Sequence, residues 1–170
     1  GFMVEVFPLV EFQNPQIDSF DLNLAGDGTH MVDIYYIRGS IAGDQQSSAA
    51  WTFHESVEVQ AQGIDTFSRL RLRNPIPMEA NETFSIYVTT EDTVMRYVDS
   101  TRDGNFENTE FVNSNPAGDL LVSFSSVNLH DFGQFLGSGR FPSFNMYYAN
   151  GCPSDLVEVP VTVNEVPKVE

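Results

Sequence analysis

The chain has 170 residues, with 24 Asp and Glu against 8 Lys and Arg, for a formal net charge of −16. That balance excludes a nucleic-acid binder working through a broad basic face, because such affinity comes from clustered cations. No apolar run approaches the roughly 20 residues that a membrane-spanning helix needs, and a composition 41% hydrophobic and 12% aromatic is that of a folding chain of one domain.

Period-two alternation of apolar and polar residues recurs along the chain, and helical periodicity does not. Residues 3–7, 17–24 and 31–37 alternate and predict half-buried strands. Gly26-Asp27-Gly28 reads as the turn of a first hairpin between the second and third of these, which groups Asp18, Asp21, Asp27 and Asp33. Solvated carboxylates are the simpler reading of that group; if Asp21 and Asp33 met across paired strands, crowded like charges would favour a bound cation. Short strands follow at 51–53, 57–59, 67–72, 83–90, 94–98, 120–124 and 144–148. Between them stand turn signals such as Gly39-Ser40, Gly43-Asp44, Asn74-Pro75, Asp103-Gly104, Asn115-Pro116 and Gly137-Ser138-Gly139. About eight to ten short strands at this spacing predict an all-β fold, an antiparallel β-sandwich or jelly roll, over residues 1–150.

Residues 151–170 differ. Val157 to Val163 alternates but carries Pro160, which confines it to an edge strand. This C-terminal strand and tail are expected to dock on their own sheet or to add a strand to a neighbouring copy. At the other end the chain opens Gly1-Phe2-Met3, without initiating Met or signal peptide, as expected of a processed product or an excised domain.

Cys152 is the single cysteine, so an internal disulfide cannot form and only a bridge to another chain is open to it. Low charge density, 19% DEKR, with acidic bias and many Ser, Thr and Asn points to an extracellular setting. Asn81-Glu82-Thr83 is the one Asn-x-Thr acceptor, placed on a predicted turn, and is the candidate glycosylation site.

The most specific local pattern is the twelve-residue run from Asp99 to Glu110. Oxygen ligands at Asp99, Thr101 and Asp103, Gly104 at the sharp turn, a backbone carbonyl at Asn105, and carboxylates at Glu107 and Glu110 match a calcium-loop template. A hard cation wants six to eight oxygens, which is the physical reason for this spacing. Against it, a strand rather than a helix precedes the loop, Thr101 is a weaker ligand than Asp, and Arg102 adds an opposing charge. His30, His54 and His130 lie in different segments without zinc-ligand spacing, and neither a nucleophile elbow nor a phosphate loop is present. The chain is therefore not expected to be an enzyme. Trp51, Tyr147 and Tyr148 are the aromatic candidates for stacking on sugars, with core packing as their default role.

Three stretches carry a resemblance: Val32-Asp33-Ile34-Tyr35-Tyr36-Ile37-Arg38-Gly39-Ser40-Ile41-Ala42-Gly43 followed by Ala50-Trp51-Thr52, then Ile76-Pro77 with residues 83–90, and Met95-Arg96-Tyr97. Together they resemble a secreted β-sandwich domain that recurs, often as repeats, in large extracellular proteins of marine bacteria and diatom-like algae. The likeness spans roughly residues 2–150 and closes on Asn145-Met146-Tyr147-Tyr148; it departs at 79–82, where the family's Gly-containing turn is replaced by Glu79-Ala80-Asn81-Glu82. It implies a secreted or cell-surface location and a binding or structural role; taken with the calcium-type loop, the expectation is an adhesive module of a matrix or filament, stabilised by calcium. Its partners would be further copies or neighbouring extracellular domains. The alternative is a carbohydrate-binding module with polysaccharide as partner.

Overall fold

The computed structural model describes residues 1–9, 15–92, 94–99, 120–128, 130, 132–133, 135–137 and 140–150. Among them are eleven strands: β1 (Phe2–Pro8), β2 (Pro15–Asn23), β3 (Asp27–Arg38), β4 (Thr52–Gln62), β5 (Phe67–Pro77), β6 (Phe84–Thr90), β7 (Tyr97–Asp99), β8 (Leu120–Asn128), β9 (Phe135–Gly137), β10 (Arg140–Pro142) and β11 (Phe144–Asn150). They form a six-stranded sheet ordered β4-β3-β6-β1-β8-β9, a three-stranded sheet ordered β11-β2-β5, and a β10-β7 pair, with all pairing antiparallel.

The two larger sheets pack face to face as a β-sandwich, as the alternation predicts. Successive side chains on a strand point to opposite faces, so every second residue enters the space between the sheets. Phe2, Val4 and Val6 of β1, Val32 and Ile34 of β3, and Phe84, Ile86 and Val88 of β6 enter from one side. From the other come Phe20 and Leu22 of β2, Leu70 of β5, and the partly buried Phe144, Met146 and Tyr148 of β11. Burying these side chains is the main favourable term of the fold, at about 1.5–3 kcal/mol for each large one.

Part of the outer face of the six-stranded sheet is covered as well, while Met31 and Phe53 on that face stay half exposed. Met3, Tyr35 and Tyr87 point away from the main core and meet Ile41, Trp51 and Phe132 in a second apolar cluster. The segment between β3 and β4 is fastened over it by Glu5, whose Oε1 accepts from Ser40 Oγ at 2.6 Å and from the Ile41 N–H at 2.7 Å. The indole N–H of Trp51 donates to the Asp44 carbonyl at 3.0 Å.

Three expectations are corrected here. Gly26-Asp27-Gly28 does not turn a hairpin, because β2 and β3 belong to different sheets and the segment crosses between them. The stretches at 51–53 and 57–59 join into the single strand β4, since Val57, Val59 and Ala61 alternate in phase toward the core. Asn74-Pro75 does not end β5 but lies inside it. A residue before proline is pushed to extended backbone, and the lost N–H is harmless on an edge strand, which β5 is. β5 arches at this point, its partner on β2 jumping from Ile76 to Arg71 as β2 advances from Ile17 to Ser19. Glu55 supports the arch, its Oε1 accepting from the Arg73 N–H at 3.0 Å and the Asn74 N–H at 3.4 Å. Glu5 and Glu55 are thus structural acceptors, Glu5 from the outer face and Glu55 from the phase of Val57 and Val59, which faces the other sheet.

Candidate outer-face binding site

On the outer face of the three-stranded sheet the register sets out rows of polar residues. Asn145, Asp21 and Arg69 lie opposite one another, and Tyr147, Ser19 and Arg71 form the next row. The strands supply these residues because their apolar positions, Phe20, Leu22, Leu70, Met146 and their neighbours, are committed to the core, which turns the alternate positions outward.

Within these rows a brace forms. Arg69 Nε lies 2.5 Å from Asp21 Oδ1, and its Nη2 lies 3.4 Å from Oδ2, a two-pronged guanidinium–carboxylate contact. Arg69 Nη1 donates to Ser19 Oγ at 3.1 Å. The Tyr147 hydroxyl crosses diagonally to donate to Asp21 Oδ2 at 2.6 Å, and the Arg69 guanidinium sits 3.9 Å from the centroid of the Tyr147 ring, in cation–π range. Donation to Asp21 holds the Tyr147 phenol above its ordinary range, since the hydrogen bond and the neighbouring negative charge both oppose loss of the proton.

Asp21 is nearly buried, while Tyr147 keeps 39% of its surface exposed. An arginine has five N–H donors, and Nε, one on Nη1 and one on Nη2 are engaged, which leaves two for an incoming group. The arrangement presents an aromatic ring locked in place beside free donors. That is the pairing of apolar surface and polar anchors by which pockets recognise sugars, whose ring faces are apolar and whose rims are hydroxyls.

Of the sequence candidates, the structure brings only Tyr147 to this face. Tyr148 points the other way and packs against the main core. Trp51, expected as a stacking candidate, is 7% exposed, 5.8 Å from Tyr87 and 5.7 Å from Phe132 between ring centroids. Its ring lies inside the second cluster, so the stacking role is corrected to a packing one. Asp21 and Asp33 sit on opposite sheets and do not meet; Asp33 instead accepts from Ser56 Oγ and approaches His130 Nε2 at 3.4 Å. His30 contacts Asp92 and His54 contacts Glu55, so the three histidines serve separate carboxylates. Asn81 lies exposed on a turn at φ 63°, its N–H donating to the Pro8 carbonyl. That left-handed backbone is one that Asn tolerates better than most residues. Asp99 closes β7 opposite Arg140, and Thr101, Asp103, Asn105, Glu107 and Glu110 lie outside the described residues, as do Cys152 and the strand expected within 156–163.

The sequence reading missed Arg69 and its row. A signal was present, since Arg69, Arg71 and Arg73 alternate with Leu70 and Leu72 and make up three of the eight basic residues of an acidic chain.

No known family model matches the chain, and no curated protein matches it.

Proposed function

We propose that the protein is a secreted β-sandwich module that binds a saccharide on the outer face of β11, β2 and β5 and serves adhesion in an extracellular matrix. The observation that carries this reading is Tyr147, an exposed ring fixed on one side by the Arg69 guanidinium and through its hydroxyl by Asp21. Aromatic side chains on a surface lose little entropy on binding when they are already immobilised, and pre-organisation of this kind raises affinity. Among the described residues this brace is where an exposed aromatic, a carboxylate and a guanidinium meet. The acidic composition and the resemblance to secreted sandwich domains support the extracellular setting.

A glycan array probed with the wild-type chain and with Tyr147→Ala tests it. Binding to one structural class of glycan, lost in the variant while circular dichroism is unchanged, is the expected result. Wild-type binding that survives in Tyr147→Ala would remove this face from the account, and an array without any hit would remove the saccharide.

A further inference from the structure

Asp21 occupies only the first arginine of a row. β5 turns Arg69, Arg71 and Arg73 outward while Ser68 and Leu70 stay buried and Leu72 packs against the core. Alternate residues of a strand recur about every 6.6–6.8 Å, so Arg69 and Arg71 stand roughly one such step apart, and Arg73 follows where β5 arches. Tyr147 stands two strands away from Arg71, about 10 Å across the same face. Among the described residues the guanidinium groups of Arg71 and Arg73 enter no ion pair. In a chain of net charge −16, three of eight basic residues exposed along one strand form a local concentration of positive charge.

The brace also shows how a carboxylate seats on this row. Asp21 meets Arg69 with one oxygen toward Nε and the other toward Nη2. Guanidinium groups fit planar carboxylates in that two-pronged manner, which a lysine cannot reproduce. A polyanion is repelled at long range by the net charge, but at 0.1 M salt that field is screened beyond about 10 Å, and the row acts at contact.

Resting on the saccharide-binding reading above, we propose that the ligand is a polyuronate: a linear polysaccharide whose sugars carry carboxylates. Arg71 and Arg73 take carboxylates of neighbouring sugars in the geometry that Asp21 has on Arg69, and Tyr147 stacks on a sugar ring. Arg71 and Arg73 determine the charge class of the ligand, and Tyr147 supplies the saccharide contact.

Isothermal titration calorimetry on the full chain separates the parts. The probes are a uronic-acid oligosaccharide, the same oligosaccharide with its carboxyls reduced to alcohols, and a sulfated neutral oligosaccharide. Binding of the uronate at least tenfold tighter than of either other probe is expected, weakening as NaCl rises from about 0.05 to 0.5 M. The double variant Arg71→Gln/Arg73→Gln should lose about 100-fold or more in affinity for the uronate, each charge-assisted contact carrying at least about tenfold. Its affinity for the reduced oligosaccharide should stay within about twofold of wild type. Equal wild-type affinity for the reduced probe overturns the polyuronate and leaves the saccharide site standing. Tightest binding of the sulfated probe overturns the carboxylate, and uronate binding untouched in the double variant overturns the arginine row. Failure of all three probes to bind overturns the polyuronate and, with an empty array, the saccharide reading too.

Discussion

The two outer faces of the sandwich start from the same alternation and end differently. On the six-stranded sheet the outward residues are Met3, Tyr35 and Tyr87, and the segment between β3 and β4 lays Ile41 and Trp51 over them. On the three-stranded sheet the outward residues are Ser19, Asp21, Arg69, Arg71, Asn145 and Tyr147, which satisfy one another in part; Ser19 and Asp21 are buried beneath the others, while Arg69, Arg71, Asn145 and Tyr147 stay in contact with solvent. The covered part of one face has become a second core, so Trp51, Tyr87 and Phe132 serve stability, while Phe53 at its margin stays half exposed. The other keeps its aromatic accessible, so the same residue type serves recognition. Exposure, and not residue identity, divides the roles of Trp51 and Tyr147.

Disturbing the covered face should have the larger effect. Trp51→Ala removes the ring from contact with Tyr87 and Phe132 and its N–H from the Asp44 carbonyl. A loss of about 3–5 kcal/mol is expected, and with about 2–4 °C per kcal/mol at this size the melting temperature should fall by more than about 6 °C. A drop under about 2 °C would mean that the second cluster does not support the fold.

On the open face the effects are graded. Asp21→Ala strips the acceptor from both the Tyr147 hydroxyl and Arg69; with Arg69 partly solvated, about 1–2 kcal/mol is expected by chemical denaturation. Arg71→Gln and Arg73→Gln should each change stability by less than about 0.5 kcal/mol. A larger change would recast the row as structural.

The smallest signal is spectroscopic. Because the phenol of Tyr147 is held above its ordinary range, it should ionise after exposed tyrosines in an alkaline absorbance titration, and Asp21→Asn should restore the ordinary order. The sign for stability follows: a raised phenol contributes fully below the unfolded value of about 10 and loses its contribution as pH climbs through the folded value. Ionisation of Tyr147 unmoved in Asp21→Asn would show that the hydrogen bond is not formed in solution.

Much of the fold was legible because it depends on neighbours along the chain. The alternation of Val32, Ile34 and Tyr36 with Asp33, Tyr35 and Ile37 reads directly as a strand with two faces. Which sheet a strand joins was not legible, since β2 and β3 look like hairpin partners until the core claims Leu24 and Val32 from opposite sides. The same holds for the site. Tyr147 was visible as an aromatic on a closing strand, whereas its brace depends on residues 78 and 126 positions away, Arg69 and Asp21. For Trp51 core packing was the default reading and is what the structure shows, but the sequence kept stacking open beside it because burial by a covering segment leaves no periodic mark. Proline misled in the arch of β5, where edge position removes its usual penalty.

The placement of β1 has a consequence for how the molecule is made. This strand lies inside the six-stranded sheet, with Phe2 opposite Val88 of β6 on one side and Val127 of β8 on the other. β1 therefore leaves the ribosome before β6 and β8 and waits for partners synthesised many residues later, and its Phe2, Val4 and Val6 stay unburied meanwhile. Long-range pairing of this kind folds slowly, on a scale of about milliseconds to seconds. During that interval an early, apolar strand is open to pairing with other chains, and the charged Glu5 at its middle is the residue placed to discourage it.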